Sequence, residues 1–288
     1  MTINQLEYFC AVCRDQSVSR AAESLHISQP GISKALRELE TEFGIALFRK
    51  EGRGLTLTEQ GKQFYAQAVG IVNHLDRFHD AVEGISAQET LTIGVPPMIG
   101  SLLLPKLYQQ YAQTPHSYSL RIVEDGRASL IEALDQYRID MAFLPHDTKM
   151  DAYRSCRIGC TETVCCMSKR HRLHDLTAIP FEALQEEALV LFSDSFFQTA
   201  RVLEKFQHCG ITPRILMQSS QLSTIVQMIT QDLAVGFLFK TLIDSMEDVC
   251  AIPLSPPMPV EVSLVWKQEM AMTESKRSFV ALASGLSL

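Results

Sequence analysis

Two helices joined by a tight turn are predicted by residues 18–40, which read VSRAAESLHISQPGISKALRELE. The small side chains of Ala21 and Ala22 allow the first helix to approach the second closely, and Ser28 is a favourable N-cap for the second helix. Apolar residues recur on that second helix at the spacing of a single face, at Ile32, Leu36 and Leu39. The pattern predicts a helix-turn-helix whose second helix turns one face towards a core.

The opposite face of the second helix carries side chains that hydrogen-bond well to nucleic acid. A glutamine can make two hydrogen bonds to adenine, while lysine and arginine suit guanine or phosphate. The backbone N–H groups that follow Ser28 favour a phosphate, and Pro30 is tolerated in the first turn. We therefore expect a DNA-binding face that comprises Ser28, Gln29, Pro30, Ser33, Lys34 and Arg37. The alternative interpretation is a solvated helix surface.

A β-hairpin, or wing, is predicted over residues 47–57, where two short β-prone pieces flank a tip with two glycines and basic residues. Arg53 at this tip is a further candidate for contact with a phosphate or with the minor groove. Residues 1–62 contain eight basic and eight acidic side chains, so their net charge does not itself attract DNA. Affinity must come from where the charges lie and from two subunits that add their contacts.

A long helix follows, from about residue 58 to residue 86. Its apolar residues are spaced alternately by four and three positions, which is the pattern of an a/d heptad seam. A narrow apolar stripe on a long helix needs a partner, which is either its own domain or, as we favour, the same helix of a second subunit. The seam consists of Phe64, Ala68, Ile71, Leu75, Phe78 and Val82.

From residue 90 onwards, predicted strands alternate with predicted helices, which indicates parallel sheets covered by helices. The last of these strands is predicted at residues 260–266, and the length of the region suits two similar lobes. We expect a DNA-binding domain at 1–58, a linker helix at 59–88 and an α/β domain at 89–288, with lobes at about 89–161 plus 268–288 and at about 162–267.

The composition narrows the class of protein. The 288 residues carry a net charge of −7, and 46 % of them are hydrophobic, which suits two or three modules with a sizeable core. We expect no signal peptide and no membrane span, because no basic start precedes an apolar stretch and no apolar run reaches about 18 residues. The eight cysteines are then expected to be reduced thiols in the cytoplasm.

The cysteine spacings predict no metal and no cofactor. Cys10 and Cys13 form a C-x-x-C on a helical pattern, which favours core packing over metal or redox use. A second cluster has a spacing that fits no pair of zinc knuckles, with a redox switch left as an alternative. This cluster consists of Cys156, Cys160, Cys165 and Cys166.

Residues 18–40, together with 44–49 (GIALFR) and 55–61 (LTLTEQG), closely resemble the LysR-type transcriptional regulators. Residues 137–143 (YRIDMAF) and 231–236 (QDLAVG) resemble the effector domain of that family more loosely. The resemblance implies an N-terminal winged helix-turn-helix, a dimerising linker helix and a two-lobed α/β effector domain like the periplasmic binding proteins. It also implies that the residues at Gln29, Pro30, Ser33 and Lys34 enter the major groove.

The resemblance further implies an effector site in a cleft between the two lobes. The first strand of the α/β domain ends before a helix, where backbone N–H groups and Ser101 favour an anion, and Arg127 is able to pair with a carboxylate. We expect a small anionic metabolite; the alternative is that the serines serve as ordinary caps. The candidate effector-binding residues are Pro97, Met98, Ile99, Ser101, Arg127, Ser193 and Ser219.

Three classes of function are compatible with this organisation: an effector-responsive DNA-binding regulator, a solute-binding protein of transport, and an α/β enzyme. The helix-turn-helix and the lack of an export signal argue against the second class. The sequence contains no glycine-rich phosphate loop, no G-x-S-x-G and no H-E-x-x-H, which argues against the third. We expect a cytoplasmic regulator that binds double-stranded operator DNA, a small effector and further copies of itself as a dimer or tetramer, and that binds no membrane.

Overall fold

The computed structural model divides the chain into two compact units, Met1–Ala87 with Asp135–Arg138, and Gln88–Leu134 with Ile139–Leu288. For residues 50, 51, 54, 74 and 76–83 it describes the backbone only. The residues that the structure describes are 1–51, 54–83, 89–113, 115–145, 152–244 and 246–288.

The first unit has the helices and the hairpin of a winged helix-turn-helix. The N-caps Ser17 and Ser28 accept backbone N–H groups through their side chains and so begin the second and third helices. Gly44 ends the third helix in the left-handed conformation that glycine adopts without strain. The elements are α1 (Ile3–Asp15), α2 (Val18–Ser24), α3 (Gln29–Phe43), β1 (Phe48–Glu51), β2 (Gly54–Leu57) and α4 (Glu59–Glu83).

The core of the first unit is built around Phe9, which is fully buried. Its ring makes edge contacts with Phe48 of the hairpin and with Phe64 of α4, at centroid distances of 5.5 and 5.2 Å. Edge-to-face pairs of this kind add about 0.5–1.5 kcal/mol beyond the burial of their area. One ring therefore joins α1, the wing and the start of α4.

The predicted seam of α4 begins inside this core. Phe64 contacts Phe9, and Ala68 is buried in the same hydrophobic cluster. These contacts favour packing on the chain's own domain for the first two seam residues, because the helix period alone does not separate an intramolecular contact from an intermolecular one. Ile71, in contrast, is 47 % exposed. Phe78 and Val82 lie on α4, but their side chains are outside the described part of the chain.

The second unit is an α/β structure with helices between most of its strands. Its first lobe begins with β3 (Glu89–Val95), α5 (Pro97–Gln113), β4 (Tyr118–Glu124), α6 (Arg127–Asp135) and β5 (Met141–Pro145). There follow β6 (Tyr153–Ser168), β7 (Ile179–Pro180), a 3-10 turn (Phe181–Leu184), β8 (Ala188–Phe192), α7 (Phe197–His208), β9 (Arg214–Ser219), α8 (Leu222–Thr230), β10 (Val235–Phe239), α9 (Lys240–Ile243), β11 (Val249–Lys267) and α10 (Glu274–Ser284).

The strand order is β4-β3-β5-β11-β6-β10-β8-β9. In the first lobe β3 is parallel to β4 and β5, and in the second lobe β8 is parallel to β9 and β10. The long strands β6 and β11 are antiparallel to each other and run through both lobes. This pair differs from the purely parallel sheets that the sequence pattern predicted.

The two ends of β11 lie in different lobes. Its residues Val262–Val265 pair with β5 of the first lobe, so the chain returns to that lobe before residue 268, where sequence analysis placed the boundary. The strand also begins at Val249, earlier than the predicted start at residue 260. Prolines between residues 253 and 259 made this region resemble a loop, since proline cannot donate to a strand ladder. A register shift between Pro253 and Met258 accommodates them.

The C-terminal helix is held to the first lobe by a buried ion pair. Lys276 Nζ of α10 lies 3.3 Å from Asp140 Oδ1, and both side chains are at most 13 % exposed. Asp140 Oδ2 accepts the backbone N–H of Thr92 at 2.9 Å. Asp140 therefore joins β3 to α10. None of the helices that the structure describes has both the length and the apolarity that crossing a membrane requires.

Candidate nucleic-acid interface and effector cleft

The buried face of α3 fixes which residues its other face presents. Ile32 and Leu39 have no exposed surface and pack against α1 and the wing. Ser28 Oγ accepts the backbone N–H of Gly31 at 3.3 Å, which caps the helix. Pro30 lies in the first turn, where the N–H that proline lacks has no intrahelical acceptor.

The outward face of α3 collects the residues that sequence analysis assigned to DNA. Gln29, Pro30, Lys34 and Arg37 are exposed, as is the capping residue Ser28, and Ser33 is half-buried. These six residues therefore lie on the N-cap and the first three turns of one helix. The seventh candidate, Arg53, lies outside the described residues.

The charged side chains of this face make only weak contacts within the chain. Lys34 Nζ is 3.7 Å from Glu38 Oε1, and Arg37 Nε donates to the carbonyl oxygen of Ser33 at 3.0 Å. An exposed pair four residues apart on a helix is worth about 0.3–0.5 kcal/mol. Exchanging that carboxylate for a phosphate or a guanine therefore costs little.

Two further residues, Ser19 and Gly31, contact side chains of this face, and the sequence pattern did not predict these contacts. Ser19 of α2 donates a hydrogen bond from its hydroxyl to Gln29 Oε1 at 3.3 Å, which orients the glutamine amide. A Cβ atom on Gly31 would lie 3.2 Å from Ser28 Oγ, so the glycine keeps the capping hydroxyl uncrowded. Both contacts depend on how α2 and α3 meet, and spacing along the chain does not report this.

Two of the predicted effector residues are core residues. Met98 and Ile99 belong to the large hydrophobic cluster of the second unit, and Ile99 has no exposed surface. Ile99 is fully enclosed by its own core and has no face left for a ligand, and Met98 is only 6 % exposed, so the structure argues against both effector-binding predictions. Both residues lie in the first turn of α5, which places them in the core. Pro97 beside them is half-buried.

Two of the three predicted serines use their hydroxyls in local hydrogen bonds, and the third, Ser193, is held through its backbone N–H. Ser101 is exposed, and its hydroxyl donates to the carbonyl oxygen of Pro97 at 3.0 Å. Ser219 Oγ accepts the backbone N–H of Gln221 at 3.1 Å, and the carbonyl oxygen of Ser219 accepts the N–H of Ser193. The structure thus brings Ser193 and Ser219 together at the carboxyl ends of β8 and β9, where ligands of parallel sheets bind.

The first lobe meets the second at the start of α6. A Cβ atom on Gly126 would lie 2.8 Å from the carbonyl oxygen of Ser195. The Arg127 guanidinium lies 5.5 Å from the centre of the Phe197 ring, and Arg201 of α7 lies at the same distance from that ring. Of the predicted effector residues, Arg127 is thus the one that faces across the interlobe cleft, by which we mean the junction between Gly126–Arg127 and Ser195–Phe197.

The cysteines are unpaired by disulfides, and some of them are buried. All eight are free thiols, and no cluster of histidine, cysteine and acidic residues in the described part of the chain has the arrangement of a metal site. Burial raises the pKa of Cys10 to about 12 and also raises the pKa of Cys13. Burial likewise raises the pKa of Cys166 to about 12. Since the thiolate is the reactive and metal-binding form, these residues act as core side chains.

Comparison with known proteins agrees with this organisation. Residues 3–62 match the model of bacterial regulatory helix-turn-helix proteins of the lysR family, and residues 85–286 match the LysR substrate binding domain. The HTH-type transcriptional regulator CfxR of Cupriavidus necator is 32 % identical over 223 residues, which span 70 % of this chain and 69 % of CfxR. The uncharacterized HTH-type transcriptional regulator YwbI of Bacillus subtilis is 28 % identical across 97 % of this chain and 95 % of its own length.

Solved structures show the same fold. A full-length OxyR variant from Pseudomonas aeruginosa has a TM-score of 0.66 and 22 % identity, covering 100 % of this chain and 96 % of that one. CbnR in complex with its target DNA has a TM-score of 0.66 and 19 % identity, covering 99 % of both chains. Members of this family are transcriptional regulators rather than enzymes. Because the two family models span nearly the whole chain, the protein belongs to the LysR family of DNA-binding transcriptional regulators.

Proposed function

We propose that the chain reads its operator with the exposed face of α3, and that a small anionic molecule between the lobes controls this binding. The observation that carries the first part is the division of α3 into a face buried through Ile32 and Leu39 and a face that presents Gln29, Lys34 and Arg37. Gln29 and Lys34 contact base edges, while Ser28, Pro30, Ser33 and Arg37 position the helix on the phosphates. Arg53, which the sequence pattern predicts at the tip of the hairpin, adds a phosphate or minor-groove contact in this proposal.

A gel shift tests this proposal with DNA from beside the gene of the protein. Changing Gln29, Ser33 and Lys34 together to alanine should weaken specific binding at least about tenfold, because each bidentate base contact contributes about 1–3 kcal/mol of discrimination. The variant Lys169→Ala is the control, since it removes one positive charge from an exposed turn of the second unit. Binding of the triple variant at natural affinity and selectivity would contradict the assignment of α3.

The proposed effector is a small anion because two cations, Arg127 and Arg201, lie against the Phe197 ring at the interlobe cleft. Arg127 is the first residue of α6, where the helix dipole also favours negative charge, and Ser193 and Ser219 follow neighbouring strands of the second lobe. A carboxylate at this place would replace the stacking of Arg127 on Phe197 with a charge-assisted pair.

Thermal-shift screening of mono- and dicarboxylates tests the class of effector. Any acid that raises the melting temperature should lose most of its effect with Arg127→Gln and keep it with Arg121→Gln, whose side chain is exposed on β4. Equal shifts in the two variants would show that Arg127 does not bind the acid. Ser101→Ala and Ser219→Ala, examined by calorimetry, decide whether either serine contributes.

We also propose that copies of the chain associate through α4. Ile71 is strongly exposed for an apolar residue, and Leu75 continues the same stripe. Replacing Ile71 with lysine should dissociate the oligomer in sedimentation experiments, whereas Ala66→Lys on an exposed position of α4 should not.

Because the operator of a bacterial regulator is chromosomal, we assign the protein to the cytoplasm.

A further inference from the structure

Gln198 in the second lobe has a buried side-chain amide whose hydrogen bonds are not satisfied by the described residues. It is the second residue of α7, and it is 6 % exposed. Neither its Oε1 nor its Nε2 has a hydrogen-bond partner within the part of the chain that the structure describes. Buried polar atoms are almost always paired, and a buried amide without partners lowers the stability of the fold. An amide enclosed in this way without a partner calls for a hydrogen-bonding group from outside the fold.

Gln198 borders a narrow crevice that lies wholly within the second lobe. The crevice lies between β8, α7, α8 and β10 and is closed to a water-sized sphere. A bridging water therefore does not satisfy the amide in this conformation. The lining residues are Val190, Leu191, Phe192, Gln198, Thr199, Val202, Ile225 and Phe237.

The other polar side chain of the crevice is already satisfied. The hydroxyl of Thr199 donates a buried hydrogen bond to the carbonyl oxygen of Phe192 at 2.9 Å. No lysine, arginine, aspartate or glutamate lines the crevice. Among the side chains that line the crevice, the amide of Gln198 is thus the one unsatisfied polar group. The rest of the lining is mainly apolar and includes the rings of Phe192 and Phe237.

We propose that this crevice binds a small, largely apolar molecule with one neutral group that both donates and accepts hydrogen bonds, such as a carboxamide. Two antiparallel hydrogen bonds would satisfy Oε1 and Nε2 of Gln198 together. A charged group is unfavourable here, because an ion would lose its hydration without meeting an opposite charge. The crevice differs from the interlobe cleft, since neither Gly126–Arg127 nor Ser195–Phe197 lines it, and binding requires α7 and α8 to move apart.

The proposal makes opposite predictions for stability and for binding. In Gln198→Leu an apolar side chain of similar size replaces the unpaired amide, so the ligand-free protein should unfold at the same or a higher temperature. The same substitution should weaken ligand binding at least about tenfold, because the partner group would then lose its hydrogen bonds. A glutamine with a purely structural role would instead make the variant less stable.

Calorimetry and thermal unfolding of the full chain test this with benzamide, with benzoate as its charged counterpart. Benzamide should bind the natural protein and the control Gln207→Leu, which changes an exposed glutamine of α7, and should bind Gln198→Leu and Gln198→Glu at least about tenfold more weakly. Benzoate should also bind the natural protein more weakly than benzamide. The proposal is overturned if benzamide does not bind, if it binds Gln198→Leu equally well, if benzoate binds as tightly, or if Gln198→Leu alone destabilises the protein. These measurements contain no DNA, so their failure leaves the proposed role of α3 untouched.

Discussion

The carbonyl oxygen of Ser195 lies where a side chain at Gly126 would begin. A Cβ atom at Gly126 would be 2.8 Å from that oxygen and 2.9 Å from Ser195 Oγ. Real Cβ atoms do not approach a backbone oxygen so closely, so the backbones of the two lobes would have to separate. The absence of a side chain at residue 126 is therefore what lets the lobes meet in this arrangement.

Gly126→Val should hold the two lobes apart and destabilise the closed arrangement by about 1–3 kcal/mol, the usual result of forcing extra atoms into packed structure. Urea unfolding followed by the fluorescence of Trp266, the single tryptophan, reports on this unit alone. Gly100→Ala is the control, because the nearest atom to its Cβ would be the flexible end of Glu124 at 3.3 Å, with side-chain atoms of Leu104 and Val95 in ordinary contact at 3.5 Å. If the two substitutions lowered the free energy of unfolding equally, the contact between Gly126 and Ser195 would not limit how closely the two lobes approach.

Gly61→Ala should disrupt the first unit. Its Cβ would lie 2.0 Å from the carbonyl oxygen of Leu47, so α4 and the wing could not both keep their positions. We expect a lower melting temperature by circular dichroism and a loss of DNA binding. Gly70→Ala lies on the same helix, has its nearest neighbour at 3.7 Å and should gain up to about 1 kcal/mol of helix propensity. If Gly61→Ala had the melting temperature of the natural protein, the close contact with Leu47 would not constrain the first unit.

Asp140→Asn should destabilise the second unit by about 3 kcal/mol, because it leaves the buried ammonium of Lys276 without its counter-charge. The asparagine keeps an oxygen for the N–H of Thr92, so the loss reports mainly on the ion pair. Adding Lys276→Met should recover most of the stability in urea unfolding. If the double variant were no more stable than Asp140→Asn, the two charges would not be coupled.

Cys10 and Cys13 should resist alkylation in the folded protein. Burial raises the pKa of Cys10 to about 12, so its folded-state thiol stays protonated at pH values where an unfolded thiol has ionised. The free energy of unfolding therefore depends on pH. As the pH rises from about 9 towards 12, the thiols of the unfolded chain lose their protons before those of the folded chain, so the folded protein becomes less stable. Iodoacetamide labelling at about pH 8.5, read by mass spectrometry, should modify exposed Cys160 much faster than Cys10. Equal rates would contradict the burial argument.

The sequence is most informative where one element defines its own pattern. The two faces of α3 follow from a 3.6-residue period, and the structure shows the predicted helix with Ile32 and Leu39 buried on one face. Periodicity reports which residues share a face, whatever that face contacts. It did not distinguish whether Phe64 packs against Phe9 of the same chain or against a second copy.

Strand pairing and packing between residues distant in the chain account for most of the differences between the prediction and the structure. The full length of β11 depends on its pairing with β6, almost a hundred residues away in the chain, and this pairing outweighs the prolines that locally disfavour a strand. The same reason explains Ile99, which follows a strand end as an effector residue would but is enclosed by distant core residues.

Local chemistry along the chain was enough to establish a helix-turn-helix with a polar outer face, a long apolar-striped helix and an α/β domain, because caps and periodicity act over a few residues. The tertiary structure alone revealed that Gly126 touches Ser195, that Arg127 faces Phe197 and that the amide of Gln198 is enclosed without a partner. Each of these facts concerns residues distant in sequence, whose meeting depends on how whole strands and helices pack.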